Sequence, residues 1–155
     1  MKKIRIFPML LIGILLVALA APAALALDAP ELTAQAVVLV DLDSGMILYE
    51  KNMLQQRSPA SLTKVMTILL ALEAADRGEV SLSDTVTAGL DCQQGMSDDS
   101  SSVYIVAGEQ MSLRDLIYCA AVSSGNDACN VIASYVGGSI SSFVDQMNER
   151  AGALG

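Results

Sequence analysis

The chain contains no histidine and no tryptophan. Without histidine, no Ser-His-Asp or Cys-His catalytic arrangement is possible within these residues, and no histidine-ligated metal site. Basic residues are few, nine against 17 acidic ones, for a net charge of −8 and a pI near 4.3. That sign excludes nucleic acid and anionic membrane surfaces as electrostatic partners. The three cysteines are an odd number and cannot close into a disulfide framework. None of their spacings suits zinc, and no metal or cofactor is expected. Cys119 and Cys129 lie in apolar helical segments and read as small core residues, with a Cys119–Cys129 bridge as the alternative. Cys92 lies in a polar loop and is expected to be exposed. Charged residues are only 17% of the chain and apolar ones 53%, which excludes disorder. The 155 residues correspond to about one domain.

What is present begins with a leader. Lys2, Lys3 and Arg5 precede an unbroken apolar run over residues 9–20, and an Ala24-x-Ala26 pattern follows. This is the layout of a secretory signal peptide over residues 1–26, with residues 27–155 as the mature chain. The apolar core is short for a membrane span of about 20 residues. Removing the leader takes away three basic residues and no acidic one, so the mature chain is more acidic still. The expected location is outside the cytoplasmic membrane, on the periplasmic or cell-wall side, with no membrane anchor in this chain.

Residues 34–42 are rich in β-branched and apolar side chains and read as a strand. Asp43-Ser44-Gly45 marks a turn, and residues 46–50 read as the returning strand of a hairpin. After Ser58-Pro59, residues 61–77 read as a helix that stops at Gly78. From Leu62 to Leu72 it is apolar apart from Thr63, Lys64 and Thr67, so central burial is expected. Residues 80–87 and 103–106 are short strand candidates flanking a polar loop. That loop carries Asp91, Asp98, Asp99 and a serine run without EF-hand spacing, and reads as solvated. Ser112 and Asp115 form a capping box for a helix to Val122. Residues 128–136 read as a further helix ending at Gly137-Gly138, and Ser139 as the cap of a last one to about Arg150.

Lys64 is the anomaly in this pattern. A lysine in an apolar helix is costly to bury unless paired, and burial lowers its pKa toward the range a general base needs. Ser61, three residues earlier, shares its helical face and sits at the helix N-terminus. A serine nucleophile with a lysine base therefore has a physical rationale. A serine N-cap with a lysine that snorkels to water explains the same residues. Ser124-Gly125-Asn126 breaks the pattern between two helices. It suits a plain capped turn or a hydroxyl and a carboxamide held at a site. Each feature alone is weak.

In this order the two features form a set. Ser-x-x-Lys followed by a Ser-x-Asn turn resembles penicillin-binding proteins and serine β-lactamases. The stretch Ser58-Pro-Ala-Ser-Leu-Thr-Lys64, Gly108-Glu-Gln and Ser124-Gly-Asn-Asp-Ala128 resembles the low-molecular-mass D-alanyl-D-alanine carboxypeptidases, penicillin-binding proteins of the 5/6 type. The hairpin over residues 40–52 resembles their first two strands. The likeness runs from about residue 34 to the last residue. The central glycine of Ser-Gly-Asn favours this branch over class A β-lactamases.

The resemblance implies an α+β fold of two to three layers, with an antiparallel sheet and a helical subdomain. It implies that Ser61 attacks the bond between two terminal D-Ala residues of a peptidoglycan stem peptide, and that Lys64 takes the Ser61 proton. Ser124 relays a proton to the leaving amine, and Asn126 hydrogen-bonds the substrate or Lys64. β-Lactams act as inhibitors by acylating Ser61. The family's third motif is Lys-Thr-Gly, and none of Lys2, Lys3, Lys51 or Lys64 is followed by Thr-Gly. The strands that complete the sheet are expected to be missing too. The expectation is an N-terminal portion of such a catalytic domain with impaired turnover. A β-lactamase-like acyl-transfer enzyme and a non-catalytic cell-wall-binding relative are the alternatives. A thiol-dependent role for Cys92 has little support, because no His or Lys lies near it in sequence.

Overall fold

The computed structural model describes residues 31–155, so the signal-peptide reading of residues 1–26 lies outside the described residues. The chain divides into two compact units, one ending at Gln56 and one beginning at Arg57.

The first unit holds the expected hairpin. β1 (Val37–Val40) pairs antiparallel with β2 (Ile47–Lys51), placing Val37 opposite Lys51 and Leu39 opposite Tyr49. A register shift follows Leu39, and Val40 then faces Ile47. The turn is built by Asp41, one strand-end earlier than the Asp-Ser-Gly signal. Its Oδ1 accepts from the Ser44 amide at 2.8 Å and the Ser44 hydroxyl at 2.5 Å. The Ser44 hydroxyl is the main reason the Asp41 carboxyl is held below the usual range. Gly45, at φ +70°, supplies the left-handed residue that the turn requires. Lys51 Nζ and Asn52 Nδ2 donate to the Leu32 and Gln35 carbonyls, at 2.8 Å each, and fasten the preceding segment along β2. Val38 and Leu39 remain more than half exposed.

In the second unit a 3-10 turn (Ala60–Leu62) leads into α1 (Thr63–Asp76). β3 (Thr85–Thr87), a 3-10 turn (Leu90–Gln93) and β4 (Gln110–Ser112) follow, then α2 (Leu113–Val122), α3 (Asn126–Gly137) and α4 (Ile140–Leu154). β3 and β4 pair antiparallel with Val86 opposite Met111. The helix caps read at Ser112, Ser139 and Gly138 are in place. Ser112 Oγ accepts from the Asp115 amide at 3.1 Å, and Ser139 Oγ from the Ser142 amide at 3.1 Å. Gly138 closes α3 at φ +77°.

α3 is the centre of this unit, packed on α1, α2, α4 and the second 3-10 turn. Ala128, Val131 and Ile132 meet Leu113, Leu116, Ile105 and Cys92 in the main core, and Leu70 and Ala133 enclose Phe143 beside it. α3 and α4 approach closely at Gly137, where a Cβ would lie 2.6 Å from the Phe143 Cβ.

The structure corrects four expectations. α1 is not buried all round: Thr67, Leu70, Ala71 and Ala74 are covered, while Leu62 and Val65 are 72% and 64% exposed. Its helical neighbours within the unit all meet one face. Cys92 is buried, not exposed, because the 3-10 turn folds its thiol under Ile105. The strand expected over 80–87 shrinks to three residues, since Asp84 Oδ2 accepts the Ser81 amide at 2.6 Å in a turn. Residues 103–106 form no ladder, because the Val103 and Ile105 amides bond a side chain, Asp127. β4 lies instead at 110–112, where the sequence reading had none. The preferred reading of Cys119 and Cys129 stands: both are free thiols packed against the main core, and the alternative bridge is not formed.

Candidate active site

Ser61 does not cap α1. It sits within the 3-10 turn before the helix, and no side chain caps that turn or α1. The turn is set by Ala60, a residue with a Cβ held at φ +46°. Such a conformation costs of order 1 kcal/mol or more and persists only where its surroundings enforce it. The Thr63 amide donates back to the Ala60 and Ser61 carbonyls, which tightens the turn. The result is an exposed Ser61 hydroxyl and a half-buried Lys64 one turn along. Lys64 Nζ donates to Ser61 Oγ at 3.2 Å.

The opposite wall is the turn between α2 and α3. Ser124 is half-buried and, like Ala60, left-handed at φ +55°. The Gly125 amide donates to the Cys119 carbonyl at 3.1 Å, and the Asn126 amide to the Ser101 carbonyl at 2.9 Å. Asn126 does not cap α3 with its side chain, since the cap position is Gly125.

Two hollows flank the Ser61–Lys64 pair. One, of about 560 Å³, lies between Ser61, Lys64 and Thr67 on one side and Asn126, Cys129 and Asn130 on the other, with residues 94–101 along its rim. The second, of about 430 Å³, is bounded by Ser61, Lys64, Val65, Ala120 and Ser124. All four residues singled out from the sequence therefore border the hollows around Ser61 and Lys64, with Asn126 in one and Ser124 in the other. Asp99, on the rim, is held below the usual carboxylate range by the Ser97 hydroxyl. Burial pushes the Cys129 thiol up to about 11 against the pull of nearby Lys64, so it stays protonated at neutral pH. Among the described residues, no three of His, Cys, Asp or Glu come together to hold a metal ion.

Three residues of the site escaped the sequence reading. Thr67 lies on the cleft face of α1. Asn130 Nδ2 donates to the Cys92 and Gln94 carbonyls at 3.0 Å each and ties the rim to α3. Asp127, fully buried, follows the Ser-Gly-Asn turn directly. The available signal for Asp127 was a carboxylate at the head of the apolar stretch over 128–133.

A serine hydroxyl held against a lysine amine, without histidine, is the arrangement of a Ser-Lys acyl-transfer site. Comparison with known proteins agrees with that class. A family model for the S11 peptidases, the D-alanyl-D-alanine carboxypeptidases, matches residues 23–155, and the chain belongs to this family. It is 37% identical over 157 residues to the Bacillus subtilis D-alanyl-D-alanine carboxypeptidase DacF, an alignment that takes in 97% of this chain and 39% of that protein. Among solved structures it resembles penicillin binding protein 5 from Haemophilus influenzae, with a TM-score of 0.78 and 36% identity over 84% of this chain and 38% of that one. It also resembles penicillin-binding protein D2 from Listeria monocytogenes in its ampicillin-bound form, with a TM-score of 0.67 and 31% identity over 82% of this chain and 50% of that one. The chain thus spans between 38% and 50% of the length of these two solved relatives. The α+β arrangement of helices and small antiparallel sheets is that of a portion of their fold. Among the described residues no helix is long and apolar enough to cross a membrane.

Proposed function

We propose that this chain supplies the nucleophile and base of a serine D-Ala-D-Ala carboxypeptidase acting on peptidoglycan stem peptides outside the cytoplasmic membrane. We further propose that residues 1–26 direct its export as a signal peptide and that residues 27–155 form the N-terminal portion of the catalytic domain. The observation that carries the reading is the 3.2 Å contact between Lys64 Nζ and Ser61 Oγ, in a cleft that Asn126 also lines.

The chemistry follows from the geometry. Lys64 Nζ takes the Ser61 proton as Oγ attacks the carbonyl of the penultimate D-Ala. The tetrahedral oxyanion forms beside the Ser61 amide, at the start of α1, where helix-end N–H groups favour negative charge. Ser124, in the hollow on the other side of the pair, relays the proton now on Lys64 to the departing D-Ala amine as the peptide C–N bond breaks, which frees Lys64 to accept again. Asn126 holds the substrate backbone in the larger hollow. Water then attacks the Ser61 ester as Lys64 accepts its proton, and Lys64 returns that proton to Ser61 Oγ as the ester bond breaks and the shortened stem peptide leaves. A β-lactam follows the same first step, and its opened ring stays on Ser61. The sequence contains no Lys-Thr-Gly. Full turnover is proposed to require the strand that carries it, because losing one oxyanion donor alone costs about 10²–10³ in rate.

Release of D-Ala from a synthetic acyl-D-Ala-D-Ala peptide tests the reading, using this chain joined to a relative's Lys-Thr-Gly strands. Release that disappears in Ser61→Ala and in Lys64→Ala is the expected result. Release that persists in Ser61→Ala overturns it. Rapid penicillin hydrolysis without D-Ala release would transfer the chain to the β-lactamase alternative.

A further inference from the structure

Asp127 is a buried charge that the chemistry above does not use. Its side chain is completely shielded from solvent. Oδ2 accepts from the Ser102 hydroxyl at 2.6 Å and from the Ile105 amide at 2.9 Å. The Val103 amide lies 3.1 Å from Oδ2 and 3.2 Å from Oδ1. Oδ1 also accepts from the Ala128 amide at 3.0 Å. A carboxylate that collects this many donors is strongly favoured in its charged form.

These bonds decide the shape of two segments. Tyr104, between the two donating amides, is held at φ +65°, a conformation that a tyrosine adopts only under constraint. Its own amide donates to Ser102 Oγ at 2.9 Å, so residues 102–105 curl around the carboxylate. The next residue back, Ser101, accepts the Asn126 amide through its carbonyl at 2.9 Å. The segment is therefore tied at both ends to the turn that presents Ser124 and Asn126. Gly125 belongs to the same device. At φ −63° its backbone asks for no glycine. Space does: a Cβ there would lie 2.9 Å from Asp127 Oδ1 and 3.3 Å from the Val103 side chain.

We infer that Asp127 is a positioning residue. By drawing residues 102–105 against the start of α3, it fixes the backbone of the 124–126 turn, and with it the directions in which Ser124 and Asn126 point. Its effect on acyl transfer rests on the functional reading given above; its effect on the turn does not.

The test uses Asp127→Asn, which keeps the shape but turns an amide donor toward the Val103 and Ile105 amides. Ser102→Ala serves as a milder second variant that removes one donor and leaves the buried carboxylate in place. Residue-resolved amide hydrogen exchange is measured on each, followed by the rate at which a fluorescent penicillin acylates Ser61. In Asp127→Asn, exchange at Val103, Ile105 and Asn126 is expected to rise about tenfold or more, the change that follows loss of a hydrogen bond to a charged group. Exchange in α4 is expected to stay within about twofold, and acylation to slow about tenfold. Ser102→Ala is expected to move the same amides in the same direction by less, and it decides the matter alone should Asp127→Asn not fold. Unchanged exchange at these amides overturns the inference, as does a rise spread equally over α4. Acylation at the unaltered rate with the segment opened overturns it too. Should the chain joined to a relative's Lys-Thr-Gly strands also take no penicillin, the functional reading falls, and the exchange pattern still decides whether Asp127 sets the turn.

Discussion

Replacing Lys64 separates chemistry from scaffolding. Lys64 Nζ bonds Ser61 Oγ at 3.2 Å, the long end of the usual range, so this contact adds little to stability. Neither the Arg77–Glu79 nor the Arg150–Glu73 ion pair involves Lys64. Methionine matches the length of the lysine stem and suits the half-buried first turn of α1. Lys64→Met is therefore expected to leave the unfolding free energy within about 1 kcal/mol of the parent. Acylation of Ser61 is expected to fall by about 10²–10⁴, equivalent to about 3–5 kcal/mol of barrier, because the proton acceptor is gone. Lys64→Arg sharpens the comparison. It keeps the positive charge and can still donate to Ser61, but a guanidinium does not give up its proton near neutral pH. The arginine variant is expected to fail as badly as the methionine one. The assay is the second-order rate of fluorescent penicillin labelling, with chemical denaturation run on the same samples. An arginine variant within about tenfold of the parent would refute the reasoning, since Lys64 would then act by charge or position and not as a base.

Other expectations follow from particular contacts. Gly137→Ala should destabilise by about 1–3 kcal/mol in urea denaturation despite alanine's better helix propensity, because its Cβ would fall 2.6 Å from the Phe143 Cβ. Cys129, with its thiol pushed up to about 11, should alkylate about a hundredfold more slowly than a free cysteine by peptide mapping. Burial works to raise the Asp127 pKa, but its hydrogen bonds from Ser102, Ile105, Val103 and Ala128 prevail and hold it below the usual value. Its stabilising contribution is thus complete above the unfolded-state value of about 3.9 and is lost as pH falls through the lower folded-state value. The thermal midpoints of the parent and Asp127→Asn should differ most near neutral pH and converge on acidification. A constant difference from neutral to acid pH would contradict that.

The parts of the fold that are locally encoded were legible in the sequence. Ser112 with Asp115, Ser139, Gly138 and the turn at Gly45 each act within a few residues of chain, and each stands where its pattern put it. The nearness of Ser61 and Lys64 was legible for the same reason, since only three residues of chain separate them, although a 3-10 turn leading into α1, and not the helix itself, brings Nζ to Oγ. The rest depended on partners remote in sequence. Residues 103–106 have the composition of a strand, yet their amides turn to Asp127, more than twenty residues away. Cys92 sits in a polar loop, and only the packing of its 3-10 turn beneath Ile105 and α3 buries it. The apolar surround of α1 was read as full burial, but the helices of its unit cover one face, and Leu62 and Val65 stay open. Composition reports what a face prefers, and not which neighbours reach it.

The most direct test of the central claim is intact-mass spectrometry of this chain after incubation with a β-lactam, followed by peptide mapping of the adduct. The account predicts a single penicilloyl adduct on the peptide that carries Ser61, absent in Ser61→Ala. An adduct that survives in Ser61→Ala, or one that maps to Cys129, would contradict it.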